Sequence, residues 1–194
     1  MRRLLLLDVD GVIADCTHRL PLVKQKDAFY SAEEMLQDKL ISGGDSLMKS
    51  LRDMYYSFDK TDTLFLTGRP ERTRNVTEIW LKANDVYPRG PILMRKDGDH
   101  RPSGIVKLEL LDSYLEEQYL DRNHDEPKRK LNKFKKLPIE ERRRVMMGHY
   151  DSAFYIDDDP KNIKAICEAY PSITGLTFGD TWVGLTDSLN VLRV

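Results

Sequence analysis

Leu4-Leu5-Leu6-Leu7-Asp8-Val9-Asp10-Gly11-Val12 is the stretch on which the reading of the whole chain turns. Four leucines in a row lack polar alternation, so they predict a strand buried on both faces. The run stops on two aspartates and a glycine. An unpaired carboxylate is costly to bury, which places Asp8 and Asp10 at the strand's end, facing a cleft. A spacing of two in extended backbone aims both side chains the same way. Gly11 lets the chain turn sharply beyond them. Two convergent carboxylates at a strand's C-terminal end suit magnesium binding, nucleophilic attack on phosphorus and proton transfer.

The chain has 194 residues, 31 Lys+Arg and 32 Asp+Glu. That length predicts one domain spanning 1–194, with room for a sizeable core. The balanced charge names no partner. No apolar run of about 18 residues predicts a membrane span, and the N-terminal leucines are too few for a signal peptide. Cys16 and Cys167 form neither a disulfide framework nor a zinc pattern, which predicts reduced thiols and a cytoplasmic setting. His18, His100, His124 and His149 share no metal-ligand spacing.

Outward from the first strand the pattern becomes polar. Ser31-Ala32-Glu33-Glu34 reads as a helix start, Gly43-Gly44 as a break, and Asp45 as the cap of a second helix running toward Tyr56. Roughly residues 15–60 thus form a small helical insertion, or cap, over the site. Thr61 to Leu66 is a second buried strand, ending on Thr67-Gly68-Arg69-Pro70. A helix over Glu71 to Asn84 is predicted to turn Val76, Ile79, Trp80 and Ala83 inward. Pro91 to Met94 is a short third strand. After a polar loop, Ser103-Gly104 opens a helix bearing Lys107. Roughly residues 121–150 form a basic helical insertion, with nine basic residues against three acids between Glu126 and Arg144. That stretch reads either as a solvated, salt-bridged helical pair or as a surface for phosphates. Ala153 to Ile156 is a fourth strand, ending on Asp157-Asp158-Asp159-Pro160. Asp159 suits the cap of the following helix, and Ile173 to Phe178 is a fifth strand. Trp182 borders the rim.

Strands alternating with helices predict an α/β fold, a parallel sheet covered on both faces. Ligands of such sheets bind beyond the carboxyl ends of the strands. Asp8, Thr67 and Asp157 each follow an apolar strand, and Lys107 opens a helix after the third. Four separate polar positions therefore converge on one rim.

This order of parts resembles the haloacid dehalogenase superfamily of phosphohydrolases: Asp8-Val9-Asp10-Gly11-Val12 first, then Thr67, Lys107 and Asp157-Asp158. A narrower likeness lies inside it. Leu66-Thr67-Gly68-Arg69-Pro70-Glu71, with Met94 to Pro102 leading into Ile105-Val106-Lys107-Leu108-Glu109, is similar to the 3′-phosphatase domain of phage-type polynucleotide kinase–phosphatases. Gly43 to Ser50 is no P-loop, because Met48 stands where the second glycine must be. The likeness is thus to the phosphatase part alone.

The resemblance implies a three-layer Rossmann-like fold and an aspartyl-phosphate formed on Asp8, with Asp10 as acid and then base. It implies Mg2+ held by Asp8, the backbone carbonyl of Asp10, and Asp157 or Asp158. Thr67, Gly68, Arg69 and Lys107 would bind phosphate, with Arg69 suited to a two-pronged contact. Asp99 and Arg101 would shape a substrate loop; Asp97-Gly98 beside them is also a turn signal. The implied substrate is a phosphorylated nucleic-acid end, with a small phosphomonoester, as in a nucleotidase, as the alternative. A kinase or ligase partner is compatible with this reading. A phospho-receiver domain gathers similar residues, but here the acid pair with spacing two comes first and the adjacent pair last.

Overall fold

The computed structural model describes residues 2–41, 61–86, 90–178 and 189–191. The predicted helix from Asp45 toward Tyr56 and the position of Trp182 lie outside them. The leucine run forms β1 (Arg3–Leu7), the middle of a six-stranded sheet. It pairs in parallel with β4 (Thr61–Pro70) on one side and β6 (Ser152–Asp157) on the other. β5 (Ile92–Arg95) continues beyond β4, and β7 (Ile173–Phe178) beyond β6, both parallel. β8 (Leu189–Val191) adds an antiparallel edge, giving the order β5-β4-β1-β6-β7-β8.

The absence of alternation in β1 has a direct packing cause. Leu4 and Leu6 join Leu64, Leu66, Leu111, Leu115, Ile163 and Ile166 in one core. Leu5 and Leu7 face the other way and join Phe65, Trp80, Leu81 and Val12. Each buried leucine contributes roughly 2 kcal/mol of transfer free energy, so a charged residue anywhere in the run would cost the sheet its centre.

Three helices and part of a fourth cover the first face. The long one is α4 (Ser103–Arg122), followed by α5 (Lys128–Lys135), α6 (Ile139–Met147) and α7 (Pro160–Ala169). The second face carries α3 (Arg74–Ala83) and the segment after β1. The inward residues of α3 are Thr77, Trp80 and Leu81, whereas Ile79 is half exposed and Ala83 lies outside. This face differs from the one that apolar spacing predicts, because polar contacts also orient the helix. Trp80 Nε1 donates to the Asp38 carbonyl at 2.8 Å, and Thr77 accepts from Arg69, so two polar bonds help set the helix's orientation.

The segment after β1 is less helical than its sequence suggests. A two-stranded antiparallel ribbon, β2 (Ala14–Asp15) with β3 (Lys39–Leu40), closes its base. Between them lie a 3-10 segment (Thr17–Leu22) and two single-turn helices, α1 (Lys26–Phe29) and α2 (Ala32–Met35). Ser31 does cap α2, accepting from the Glu34 amide at 3.3 Å. The helix then stops at Met35, long before Gly43, because Asp38 is drawn inward by two arginines.

Candidate active site

The end of β1 delivers Asp8, whose amide donates to the Ile156 carbonyl at 2.9 Å. One carboxylate oxygen of Asp8 accepts from the Val9 amide at 2.7 Å, and the other from Lys107 Nζ at 2.7 Å. Lys107, one turn into α4, is 1% exposed and also donates to Asp157 Oδ2 at 2.6 Å. Asp157 ends β6 and is fully buried. It accepts from the Asp159 amide at 2.8 Å, from Asn162 Nδ2 at 3.0 Å and from the Tyr155 hydroxyl. Asp159 caps α7, accepting from the Lys161 amide at 2.9 Å, as its position predicts.

Asp158 stands beside them, exposed. Carboxylate oxygens of Asp8, Asp157 and Asp158 lie within 4.8 Å of one another. Gly11 makes that approach possible: a Cβ on it would sit 2.1 Å from Asp158 Oδ2, and its φ of +76° disfavours any side chain. One ammonium faces three carboxylates here. Burial pushes Asp8 up to about 8, with Lys107 pulling the other way and Asp157 adding repulsion. Burial and then the charge of Asp157 push Asp158 up to about 6. The Lys107 ammonium is disfavoured by burial, yet Asp8 and Asp157 outweigh this and hold it charged. An all-oxygen donor set with surplus negative charge fits a hard divalent cation such as magnesium.

Asp10 sits in a second cluster. Arg19 Nη2 donates to it at 2.8 Å and Arg69 Nη2 at 2.7 Å. Both guanidiniums also reach Asp38, Arg19 through Nε and Nη2 and Arg69 through Nη2, each at 2.8 Å. Arg19, Arg69 and the Asp38 side chain are wholly buried. Burial alone would raise the Asp10 carboxyl, but Arg69 and then Arg19 hold it below the usual carboxylate range.

Not every predicted site residue points into the cleft. Arg69 departs from the expectation of a fork on phosphate: its guanidinium is spent on Asp10, Asp38 and Thr77. The cause is a slip in the β4–β5 register between Thr67 and Pro70, which sets Gly68 and Arg69 in a bulge. Thr67 is fully buried and accepts from the Arg69 amide at 3.3 Å, so it braces that bulge; it does not cap the helix. The Gly68 carbonyl accepts from Arg95 Nε at 3.1 Å. Arg95 also donates to the carbonyls of Asp99 and Arg101, which ties down the loop after β5. Within that loop Arg101 pairs with Asp99 at 2.8 Å and Glu109 at 2.7 Å.

Sequence reasoning missed Arg19, Asp38, Tyr155, Asn162 and Arg95. Arg19 and Asp38 carry no motif, and only the fold joins them to Asp10. Asn162 did carry a signal, because it lies three residues after the Asp159 cap and so returns to the first turn of α7.

A parallel α/β sheet whose carboxyl ends gather these aspartates around one lysine defines a phosphohydrolase of the haloacid dehalogenase type. A family model described as the polynucleotide kinase PNKP phosphatase domain matches residues 2–124, well over half of the chain, and the protein belongs to that family. Chains in the structure of the Pnkp1/Rnl/Hen1 RNA repair complex and in a further structure of the Pnkp1/Rnl/Hen1 complex share the fold. Each superposes with a TM-score of 0.57 at 19% identity, over 93% of this chain and 44% and 48% of theirs. The chain thus spans less than half the length of these structural relatives. No curated protein matches it.

Proposed function

We propose that the protein is a magnesium-dependent phosphomonoesterase that removes 3′-phosphates from nucleic-acid ends. The supporting observation is the convergence of Asp8, Lys107, Asp157 and Asp158, in a chain of this phosphatase family. Asp8 attacks phosphorus and the bond to the ester oxygen breaks, with Asp10 giving its proton to the departing alcohol. Water then attacks the aspartyl-phosphate, Asp10 takes the water's proton, and Asp8 leaves as a carboxylate. Arg19 and Arg69 favour the ionised form of Asp10, which suits the second step and opposes the first. Lys107 neutralises charge on Asp8 and on the incoming phosphate. Asp8, Asp157 and Asp158, with the Asp10 carbonyl, would hold a magnesium ion, whose charge offsets repulsion between anionic Asp8 and anionic phosphate. Asp99 and Arg101, locked to Glu109 and Arg95, present a rigid loop beside the start of α4 for the substrate to rest on.

The repair complex in which the structural relatives occur makes RNA ends the first substrate to try, and association with further repair chains a second expectation. The test is phosphate release from 3′-phosphorylated RNA, 3′-phosphorylated DNA, 5′-phosphorylated ends and free nucleotides, with and without magnesium. Turnover is expected on 3′-phosphorylated oligonucleotides and only with the metal. Preference for free nucleotides would replace this reading with a nucleotidase.

A further inference from the structure

We propose that the exposed face of α5 is a docking surface for the phosphate backbone of single-stranded nucleic acid, several nucleotides away from the reacting end. The surface rests on the functional reading above for its biological sense, but its chemistry stands apart. Phe134 is buried and stacks on Tyr119 with ring centroids 4.1 Å apart, which anchors the inner side of α5. Lys128, Arg129, Asn132, Lys133, Lys135 and Lys136 are left outside. No acid occurs between Glu126 and Glu140. Lys130 pairs with Glu126 at 2.6 Å; the other five basic residues of this stretch have no ion-pair partner among the described residues. The contrast with α6 is direct, since Arg142 pairs with Glu116 and Arg143 with Asp112. Here the sequence's two readings of the basic stretch divide: α6 is salt-bridged, and α5 is left with unmatched charge.

Arg129, Asn132, Lys133 and Lys136 line a shallow groove of about 450 Å³. Their spacing puts them on one stripe of the helix, a turn apart. A row of cations with an amide donor between them suits a chain of regularly spaced phosphates. A membrane surface suits it less, because the apolar side of α5 is turned inward. The segment lies beyond residues 2–124, the part that matches the phosphatase family model.

Helix geometry sets the reach. Lys107 touches Asp8, and Tyr119 touches α5, on the same helix. At 1.5 Å per residue those two positions are about 18 Å apart, or about five nucleotides of a stacked strand at 3.4 Å each. The exposed cations lie on the side of α5 away from Tyr119, so a strand held by its end at Asp8 must be longer than this to reach them.

The experiment compares the unaltered protein with a triple variant, Arg129→Gln, Lys133→Gln and Lys136→Gln. Fluorescence anisotropy follows binding of a 20-nucleotide strand and a 3-nucleotide strand, each ending in a 3′-phosphonate that cannot be hydrolysed and that holds the end at Asp8, from 50 to 200 mM salt. Three lost phosphate contacts at about 0.7 each lower the slope of log K against log salt by about 2, which makes the unaltered protein about twentyfold more salt-sensitive over that range. The 3-nucleotide strand and hydrolysis of a small aryl phosphate are expected to show no difference between the two proteins, with an unchanged melting temperature. An unchanged slope for the 20-mer overturns the proposal, as does an equal loss for the 3-mer. Tighter binding of an acidic polypeptide or of anionic vesicles than of the 20-mer at equal salt also overturns it. If 3′-phosphorylated oligonucleotides are not turned over but the 20-mer difference is present, the functional reading fails and the surface stands. If they are turned over and the difference is absent, the reverse holds.

Discussion

Two buried charge clusters lie side by side at the end of β1, and they are built on opposite principles. Around Asp10 the count is even: Arg19 and Arg69 against Asp10 and Asp38, each carboxylate held by both guanidiniums. Around Asp8 it is uneven, with Lys107 against Asp8, Asp157 and Asp158. A balanced buried network satisfies its own charges and holds shape. An unbalanced one keeps unspent attraction for a cation. Two residues apart in sequence, Asp8 and Asp10 therefore have different tasks: one is left electrostatically hungry, the other is fixed in place.

The sharpest way to break this contrast is to remove the proposed nucleophile, Asp8. Asp8→Asn is expected to lower phosphate release by about 10³-fold or more while the protein stays folded, since loss of a covalent nucleophile removes the pathway itself. Phosphate release and circular dichroism on one preparation check it, and substantial residual turnover would remove Asp8 from the role.

The next effect is a difference in sign. Asp38→Asn leaves two buried guanidiniums facing one carboxylate and is expected to cost roughly 3 kcal/mol in urea unfolding. Asp158→Asn relieves repulsion on the other side, so it is expected to raise the melting temperature of the metal-free protein, slightly because Asp158 is solvent-screened. Magnesium is expected to stabilise the unaltered protein by about 3 kcal/mol at a hundredfold excess over its Kd, and less so this variant. Equal signs for the two substitutions would dissolve the distinction between the clusters.

The smallest effect comes from a control outside both. His149 is held below the ordinary histidine value by burial, then by Arg122 and Arg2, and its Nε2 has no hydrogen-bond partner among the described residues. The unfolded chain then binds a proton that the folded one resists. His149's own contribution to stability is therefore expected to fall as pH drops below about 6.5, the unfolded value, while Asp8 and Asp158, held above the ordinary carboxylate value, act in the opposite sense. Relative to the unaltered protein, His149→Gln is expected to gain stability toward the acid side in urea midpoints taken from pH 7.5 to 5, with no change in the difference between the clusters.

How much of this was legible depended on whether a residue's partner was coded locally. The strands were readable because a strand buried on both faces must be apolar throughout, and Leu4 to Leu7 and Leu64 to Leu66 are. The Asp159 cap was readable because a cap bonds within its own turn. The inner face of α3 was not, since its orientation rests on polar bonds from Trp80 to Asp38 and from Arg69 to Thr77. The single-turn α2 was overestimated for a like reason: its cap was present, but Asp38 was claimed from outside.

From the residues alone came the alternating order of strands and helices, and the rim on which Asp8, Lys107 and Asp157 meet. Both follow from period and spacing, which the chain carries along its own length. The inward turn of Arg69 and the recruitment of Arg19 and Asp38 to Asp10 came from the folded chain. Charge pairing acts through space, and residues 19, 38 and 69 share no periodicity that would announce it.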